Sequence, residues 1–158
     1  MRTLVLLLAT IASGLMAGLF FTYANSVLPG LHAAEDRSFV DAMQRINMAI
    51  LNGWFLALFL GTMLLSVVAL VLQLGAEQRA ALPWIAAGVG LYAATLIITF
   101  VVNVPLNNAL DAAGPPSSIA DFAAVRAAFE AKWVSWNLVR MLTSTAAFTS
   151  LAVALLKA

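Results

Sequence analysis

The sequence predicts an all-α fold, an antiparallel bundle of four transmembrane helices with amphipathic helical segments in the first and third loops. Two observations predict it. The 158 residues are 63% hydrophobic and only 9% charged, with a mean hydropathy of +0.99, whereas about a quarter of the residues of a soluble domain are charged. The few charges also delimit four long apolar stretches, and about 20 apolar residues are enough to cross a bilayer as a helix.

These stretches give the bounds of the predicted spans. A backbone in lipid must satisfy its hydrogen bonds within its own segment, so each stretch should be a helix and not an open strand. In a chain of this length two cores would each be too small, and we expect one multi-pass integral membrane domain over residues 1–158. The predicted spans cover about residues 3–28, 46–74, 83–104 and 133–156.

The first span should run from Thr3 to Leu28 and stop at the turn signal Pro29-Gly30. The start of the chain, Met1-Arg2 before a short apolar run, has an alternative interpretation as a signal peptide. However, the uncharged stretch continues past Leu28 without an obvious small-x-small cleavage site. Its length therefore favours a spanning helix.

The connections between the spans differ in length. Spans two and three are joined by the short Gly75–Ala81 connection and should form a tight hairpin. Each longer loop holds an amphipathic piece that opens with a capping-box pattern, Ser38-x-x-Asp41 or Ser118-x-x-Asp121. The second piece could lie on the bundle mouth or feed directly into span four. The order of span, proline break, amphipathic piece and span occurs twice, which suggests two related helix pairs.

Charge and composition also limit partners and location. The net charge is +1 and the charges are scattered singly, so the bilayer is the expected partner and nucleic acid is not. The chain has no cysteine, which excludes thiolate metal sites and a cysteine nucleophile. Basic residues flank the spans on both sides, but Arg2 precedes the first helix, and we expect cytoplasmic termini in a bacterial inner membrane. The oligomeric state is left open.

Polar residues concentrate where the end of span one, the start of two, the end of three and the start of four should meet. Because neighbouring helices run in opposite directions, these four ends share one membrane face. We expect the polar side chains there to line a shared pocket, with candidate residues Tyr23, Asn25, Asn47, Asn103, Asn107, Asn108, Trp133, Trp136, Asn137 and Arg140. Interhelical hydrogen bonds and an interfacial aromatic belt are the alternative explanations.

Arg140 is the most informative of these residues. It lies about 6 Å of helix rise beyond Trp136, below the expected membrane interface. An arginine within a span costs about 2.5–3.5 kcal/mol on insertion scales, so a polar partner or ligand should compensate for it. The alternative is a long side chain that snorkels to water. The candidate partners are Asn137, Asn103, Asp36, Asp41 or a bound anion.

His32 is the only histidine and lies near Glu35 and Asp36 in the first loop. One imidazole with loop carboxylates lacks the spacing of a dedicated transition-metal site. We therefore predict no metal ligands and interpret His32 as a solvated loop residue. The sequence also shows no phosphate-binding glycine loop and no Ser/His/acid triad.

Four runs resemble those of a widespread family of small four-helix membrane proteins that includes the fungal anthrone oxygenases. The resemblance covers nearly the whole chain, and the runs occur in the order expected for the family. They are Phe20-Phe21-Thr22-Tyr23-Ala24-Asn25-Ser26-Val27-Leu28-Pro29-Gly30-Leu31, Asp36-x-x-Phe39-Val40-x-Ala42-Met43-Gln44-x-Ile46-Asn47, Asn103-Val104-Pro105-Leu106-Asn107-Asn108 and Trp133-x-x-Trp136-Asn137-x-x-Arg140.

What the resemblance implies is a small hydrophobic aromatic ligand, an anthrone-type polyketide, which molecular oxygen oxidises to an anthraquinone without a metal, a flavin or another cofactor. An anthrone enolate can pass an electron to oxygen unaided, so the protein need only bind, deprotonate and stabilise the anion. In this hypothesis Arg140 supplies the counter-charge and Trp136 stacks on the rings. Asn137, Asn103 and Asn107 donate hydrogen bonds to the enolate, and Asp36 or His32 takes the proton.

A second hypothesis belongs to another functional class. In it the protein is a noncatalytic membrane module that binds a lipid or a quinone-like ligand or serves as a partner subunit, and the same asparagines hold the bundle together. An open cavity lined by Asn103, Asn137 and Arg140 would favour ligand chemistry. Mutually satisfied side chains without a void would favour the structural explanation.

Overall fold

A computed structural model describes residues 1–75 and 79–158. In these two ranges the regular elements are all helical, which confirms the predicted fold class, and residues 76–78 of the predicted hairpin connection lie outside them. The α-helices are α1 (Arg2–Thr22), α2 (Leu28–His32), α3 (Asp36–Ala49), α4 (Gly53–Leu74), α5 (Leu82–Ile98), α6 (Val104–Ala112) and α7 (Phe122–Leu155).

Four helical runs in the described ranges are long and apolar enough to cross a membrane: Arg2–His32, Gly53–Leu74, Leu82–Ala112 and Phe122–Leu155. Helix α7 packs against α1 and α5, and α4 packs against the same two helices from the other side. Helices α5 and α7 approach each other closely at Gly88, where an added Cβ atom would lie 2.9 Å from Leu151 Cδ2. The result is an antiparallel bundle.

Two π-helical turns, Tyr23–Val27 and Thr99–Asn103, continue the first and third spans beyond their α-helical parts. The turn after α1 ends in a hydrogen bond from Leu28 N to Tyr23 O, and the turn after α5 in one from Val104 N to Thr99 O. Each bond reaches five residues back, which widens the helix.

A proline follows each of these turns, Pro29 after the first and Pro105 after the second. Proline lacks an N–H, and its ring crowds the carbonyl four residues earlier. The wider turn accommodates the ring, so the helix continues instead of breaking. The helix of the first span therefore does not stop at the predicted turn Pro29-Gly30 but extends to His32. The helix of the third span similarly extends to Ala112, beyond the predicted residue 104. A π-helical turn thus precedes both prolines, as expected if the chain consists of two related helix pairs.

The second and fourth spans also differ from their predicted bounds. Helix α4 begins at Gly53 and not near residue 46, because Asn52 starts a new helix by accepting a hydrogen bond from Phe55 N at 3.0 Å. The preceding residues belong to α3 and to a break at Ile50–Asn52. Helix α7 begins at Phe122 and runs unbroken to Leu155, so the second amphipathic piece feeds directly into span four.

Neither predicted capping box starts a helix. Helix α3 begins at Asp36 after Glu35, which places Ser38 inside its first turn. Helix α7 is capped by Asp121, whose carboxylate accepts a hydrogen bond from Ala124 N at 2.9 Å. Ser118 instead donates to Pro115 O within the preceding turn. A carboxylate next to the first helical residue is in a better position to cap than a serine three residues earlier.

Candidate functional site

A partly open cavity of about 80 Å³ lies at the end of the bundle where polar residues were predicted to meet. Both π-helical turns, the end of α3 and the buried face of α7 contribute to it. Its lining residues are Leu19, Phe20, Tyr23, Asn47, Ile50, Leu51, Phe55, Thr99, Asn103, Val104, Asn107, Trp133, Asn137 and Arg140.

Arg140 forms the charged part of the cavity floor and is only 6% exposed. Its Nη2 donates to Asn137 Oδ1 at 2.9 Å, and its Nη1 lies 3.5 Å from Thr99 Oγ1. The guanidinium also lies over two rings, with Cζ 4.8 Å from the centroid of Phe20 and 5.1 Å from that of Trp133. Such ring faces stabilise a cation, more strongly where water is excluded.

Arg140 takes part in none of the ion pairs found over residues 1–75 and 79–158. Its charge is therefore balanced within this part of the protein only by an amide, a hydroxyl and two aromatic rings. A cation taken out of water without a carboxylate partner retains strong attraction for an anion. The cavity floor is thus suited to a negatively charged group.

Four buried polar atoms of the cavity have no hydrogen-bond partner within the described residues: Asn47 Nδ2, Asn103 Oδ1, Asn137 Nδ2 and Arg140 Nε. A buried polar atom left unpaired costs about 1–3 kcal/mol, so several around one void are unusual for a purely structural network. Three of the four are donors. Together they fit a ligand whose principal polar group is an oxygen that accepts hydrogen bonds.

Trp133 closes the side of the cavity that faces the first and third loops. Its Nε1 donates to Asn107 Oδ1 at 2.7 Å, and its ring centroid lies 6.1 Å from that of Tyr23 and 6.0 Å from that of Phe129. These contacts fix the indole on three sides. Trp133 therefore provides a rigid aromatic wall beside Arg140.

The structure brings most of the sequence-predicted residues together around this cavity. Seven of the predicted residues line the cavity and four do not. Those that line the cavity are Tyr23, Asn47, Asn103, Asn107, Trp133, Asn137 and Arg140, whereas Asn25, Asp36, Asn108 and Trp136 lie outside it.

The helical register explains why Trp136 lies outside. The buried stripe of α7 repeats at Trp133, Asn137, Arg140 and Ser144, and a residue three positions after Trp133 is turned about 60° away from it. Trp136 is accordingly half-buried at the edge of this stripe. The aromatic wall predicted for Trp136 is formed by Trp133. Asn25 and Asn108 have exposed side chains.

The two predicted proton acceptors lie in a different network. Asp36 Oδ1 accepts from Arg126 Nη1 at 3.0 Å, and His32 Nδ1 lies 2.8 Å from Glu130 Oε1. Neither residue lines the cavity, so neither is placed to take a proton directly from a ligand there. Within the two described ranges, no group of three or more histidine, aspartate or glutamate side chains is placed to hold a metal ion.

The remaining lining residues were not predicted as site residues. Thr99 carries a hydroxyl next to Arg140, and a sequence signal for it exists, because it precedes Asn103 by four residues on the same stripe. Phe20 lies in one of the runs that carry the family resemblance. Ile50, Leu51 and Phe55 have no polar signal and reach the cavity only because the chain breaks between α3 and α4.

Comparison with known proteins adds one match. A model of the anthrone oxygenase family matches residues 54–150, which is more than half of the chain. This range contains the asparagine run that begins at Asn103 and the run from Trp133 to Arg140. Neither the curated proteins nor the solved structures contain a match to the chain.

Proposed function

The chain belongs to the anthrone oxygenase family, and on that premise we propose that it is a membrane-embedded oxygenase acting on a planar, lipid-soluble phenolic or polyketide substrate. The observation that carries the proposal is the buried Arg140, which has four unpaired polar atoms around it or on it and no carboxylate partner among the described residues. Such a site favours a substrate in its anionic form over the neutral form.

The reaction oxidises a ring CH₂ group flanked by two aromatic rings to a ketone. One oxygen atom of O₂ becomes the new carbonyl oxygen, and the other leaves as water with the two hydrogens of the CH₂ group. The substrate loses four electrons and O₂ gains four, so no external reductant is needed. The first electron comes from the enolate, which is why stabilising this anion is the main task of the protein.

Four polar lining residues have a role in this proposal. Arg140 provides the counter-charge of the enolate oxygen, and Asn137 holds the guanidinium in place through its Oδ1 while its Nδ2 remains available to the substrate. Asn47 Nδ2 is a further donor. Asn107 is already engaged by Trp133 Nε1, so it supports the aromatic wall. The cationic floor favours the anion, so the substrate gives up its proton to water at the membrane boundary, before its polar end is seated beside Arg140.

The dimensions of the cavity indicate how such a substrate binds. A cavity of about 150 Å³ holds a single benzene ring, so three fused rings do not fit within about 80 Å³. The polar end of the substrate therefore reaches the floor, and the ring system extends out of the cavity past Leu51, a lining residue that is 66% exposed. The apolar mouth residues match that part of the ligand.

The experiment is oxygen uptake by the purified protein in lipid nanodiscs supplied with anthrone. We expect one O₂ consumed per anthrone, with one labelled oxygen atom in the anthraquinone and one in water when isotopically labelled O₂ is used. If anthrone binds but oxygen uptake does not exceed that of empty nanodiscs, the oxygenase proposal fails. That outcome would support the alternative, a noncatalytic module that binds a lipid or quinone-like ligand or serves as a partner subunit.

A further inference from the structure

The two ends of the cavity differ in polarity and exposure. The floor is formed by buried polar side chains, among them Thr99, Asn137 and Arg140. The mouth is formed by apolar side chains at the break between α3 and α4, where Leu51 is 66% exposed and Phe55 is half-buried. A ligand therefore passes an apolar opening before it meets the polar floor.

The surface around this opening is apolar as well. Met48 and Trp54, on either side of Leu51 in the chain, are 69% and 90% exposed. Exposed apolar side chains next to a tryptophan are typical of the boundary between headgroups and acyl chains. Earlier on α3 the exposed side chains are charged, as Arg37 and Arg45 show. The change from charged to apolar along α3 places the opening at the lipid side of this boundary.

The opposite approach, from water, is closed by a packed apolar layer. Phe39, Val40 and Met43 of α3 are fully buried against Phe129 and Trp133 of α7. Aromatic contacts join Phe39 to Phe129 and Phe129 to Trp133, with ring centroids 6.3 and 6.0 Å apart. A second cavity, of about 160 Å³, lies beside Leu110 and Phe129, but it shares no lining residue with the first cavity. The packed layer of α3 and α7 therefore separates the first cavity from the loops.

Polar contacts hold this layer in place. Arg126 on α7 donates to the main-chain oxygens of His32 and Ala34 and to Asp36 Oδ1, which fixes the first loop above the bundle. Gln44 on α3 donates from Nε2 to the main-chain oxygens of Leu110 and Gly114, at 2.9 and 3.0 Å. Both long loops are thereby tied to the bundle on the aqueous side of the cavity.

We propose that the cavity exchanges its ligand with the bilayer, through the opening at Ile50–Asn52, and not with water through the loops. The occupant is a hydrophobic molecule already dissolved in the membrane, whose polar end turns inward to Arg140. The direction of access follows from the opening and the packed layer alone. The identity of the occupant as an enolisable aromatic ketone rests on the proposed function. The effective ligand concentration is then the one in lipid, where apolar solutes accumulate.

Variants with a single cysteine can test whether the opening faces lipid or water. The chain has no cysteine, so Leu51→Cys and, as a control on the charged part of α3, Ser38→Cys each carry one reactive group. In nanodiscs we expect a lipid-soluble maleimide to label Leu51→Cys at least about tenfold faster than a charged, membrane-impermeant reagent does, with the reverse preference at Ser38→Cys. Faster labelling of Leu51→Cys by the charged reagent would overturn the inference.

The second measurement is the amount of anthrone bound in the cavity, together with its oxidation. Bound anthrone is followed by the NMR signal of an isotope-labelled sample, and oxidation by oxygen uptake. A bulky maleimide adduct on Leu51→Cys should lower both binding and oxidation at least about tenfold, while the same adduct on Ser38→Cys leaves both unchanged. Unchanged anthrone binding with the Leu51→Cys adduct in place would overturn the inference, whatever the rate of oxidation.

The two proposals fail in different ways. If the wild-type protein binds anthrone from lipid and the adduct blocks binding, but oxygen is never consumed, access from the bilayer stands and the oxygenase function fails. If anthrone is oxidised at the same rate with and without the adduct on Leu51→Cys, the function stands and the proposed route fails.

Discussion

Arg140 donates from Nη2 to Asn137 Oδ1 at 2.9 Å, across one turn of α7. This hydrogen bond holds the guanidinium against the cavity and leaves Arg140 Nε and Asn137 Nδ2 without partners in the described part of the protein. Both unpaired atoms are donors. Arg140 and Asn137 are thus held in position, and each still has a free hydrogen-bond donor. This arrangement is expected of side chains that bind a ligand.

Replacing the buried cation should not destabilise the protein. Arg140→Met removes a charge that has no carboxylate partner among the described residues, and methionine fills a similar volume without the desolvation cost. We expect the melting temperature in detergent to stay the same or rise. A fall of the melting temperature by several degrees would show that the guanidinium is mainly structural.

Arg126 should behave in the opposite way to Arg140, because it is held by several hydrogen bonds. It donates to Asp36, Glu130 and two main-chain oxygens and is largely buried. We expect Arg126→Met to lower the free energy of unfolding by about 1–3 kcal/mol, because Glu130 and two main-chain oxygens lose a charged donor. Arg45→Met, which removes one exposed pair with Asp41, should change it by less than about 0.5 kcal/mol. Equal effects on thermal unfolding would contradict the role of Arg126.

Two asparagines allow the cavity to be compared with the outer surface. Asn47 lines the cavity with an unpaired Nδ2, whereas Asn108 is exposed outside it. Asn47→Leu should lower kcat/KM for anthrone about tenfold, because one hydrogen bond to a charged ligand is lost, and should leave stability unchanged. Asn108→Leu should leave kcat/KM as it is. Steady-state oxygen uptake by both variants is the check, and a larger effect from Asn108→Leu would place the site elsewhere.

The packing of the bundle gives a prediction at two glycines of α5. A Cβ at Gly88 would lie 2.9 Å from Leu151 Cγ and Cδ2, whereas a Cβ at Gly90 meets nothing within 4 Å. Gly88→Ala should therefore lower the melting temperature by forcing α5 away from α7. Gly90→Ala should raise stability by up to about 1 kcal/mol through helix propensity. If Gly88→Ala and Gly90→Ala had the same melting temperature, α5 and α7 would have to be further apart at Gly88 than the structure shows.

The sequence was sufficient to predict the four spans, their antiparallel order and the end at which polar residues meet. Hydropathy and charge spacing fix these features, since the lipid imposes them. The helix ends were predicted less well around Pro29 and Pro105. A proline usually breaks a helix, and the π-helical turns that accommodate it here have no simple residue signature.

Seven of the proposed site residues line the cavity because a buried helix face follows from periodicity. The choice between Trp133 and Trp136 could not be made from the sequence, because both lie at helical spacing from Arg140 and only the rotation of α7 in the bundle separates them. The break at Ile50–Asn52 was also missed. The residues around the end of α3, from Met48 to Leu51, are as apolar as those of α4, and only the cap at Asn52 marks the boundary.

The most direct test of the account is the effect of Arg140 on oxidation. Oxygen uptake with anthrone is measured for the wild-type protein, Arg140→Met and Arg140→Lys in nanodiscs, after thermal unfolding has shown that all three are folded. We expect Arg140→Met to lower kcat about 100- to 1,000-fold, the usual effect of removing a donor to an oxyanion. Arg140→Lys should retain part of the rate because it keeps the charge. A folded Arg140→Met variant that oxidises anthrone at the wild-type rate would contradict the account.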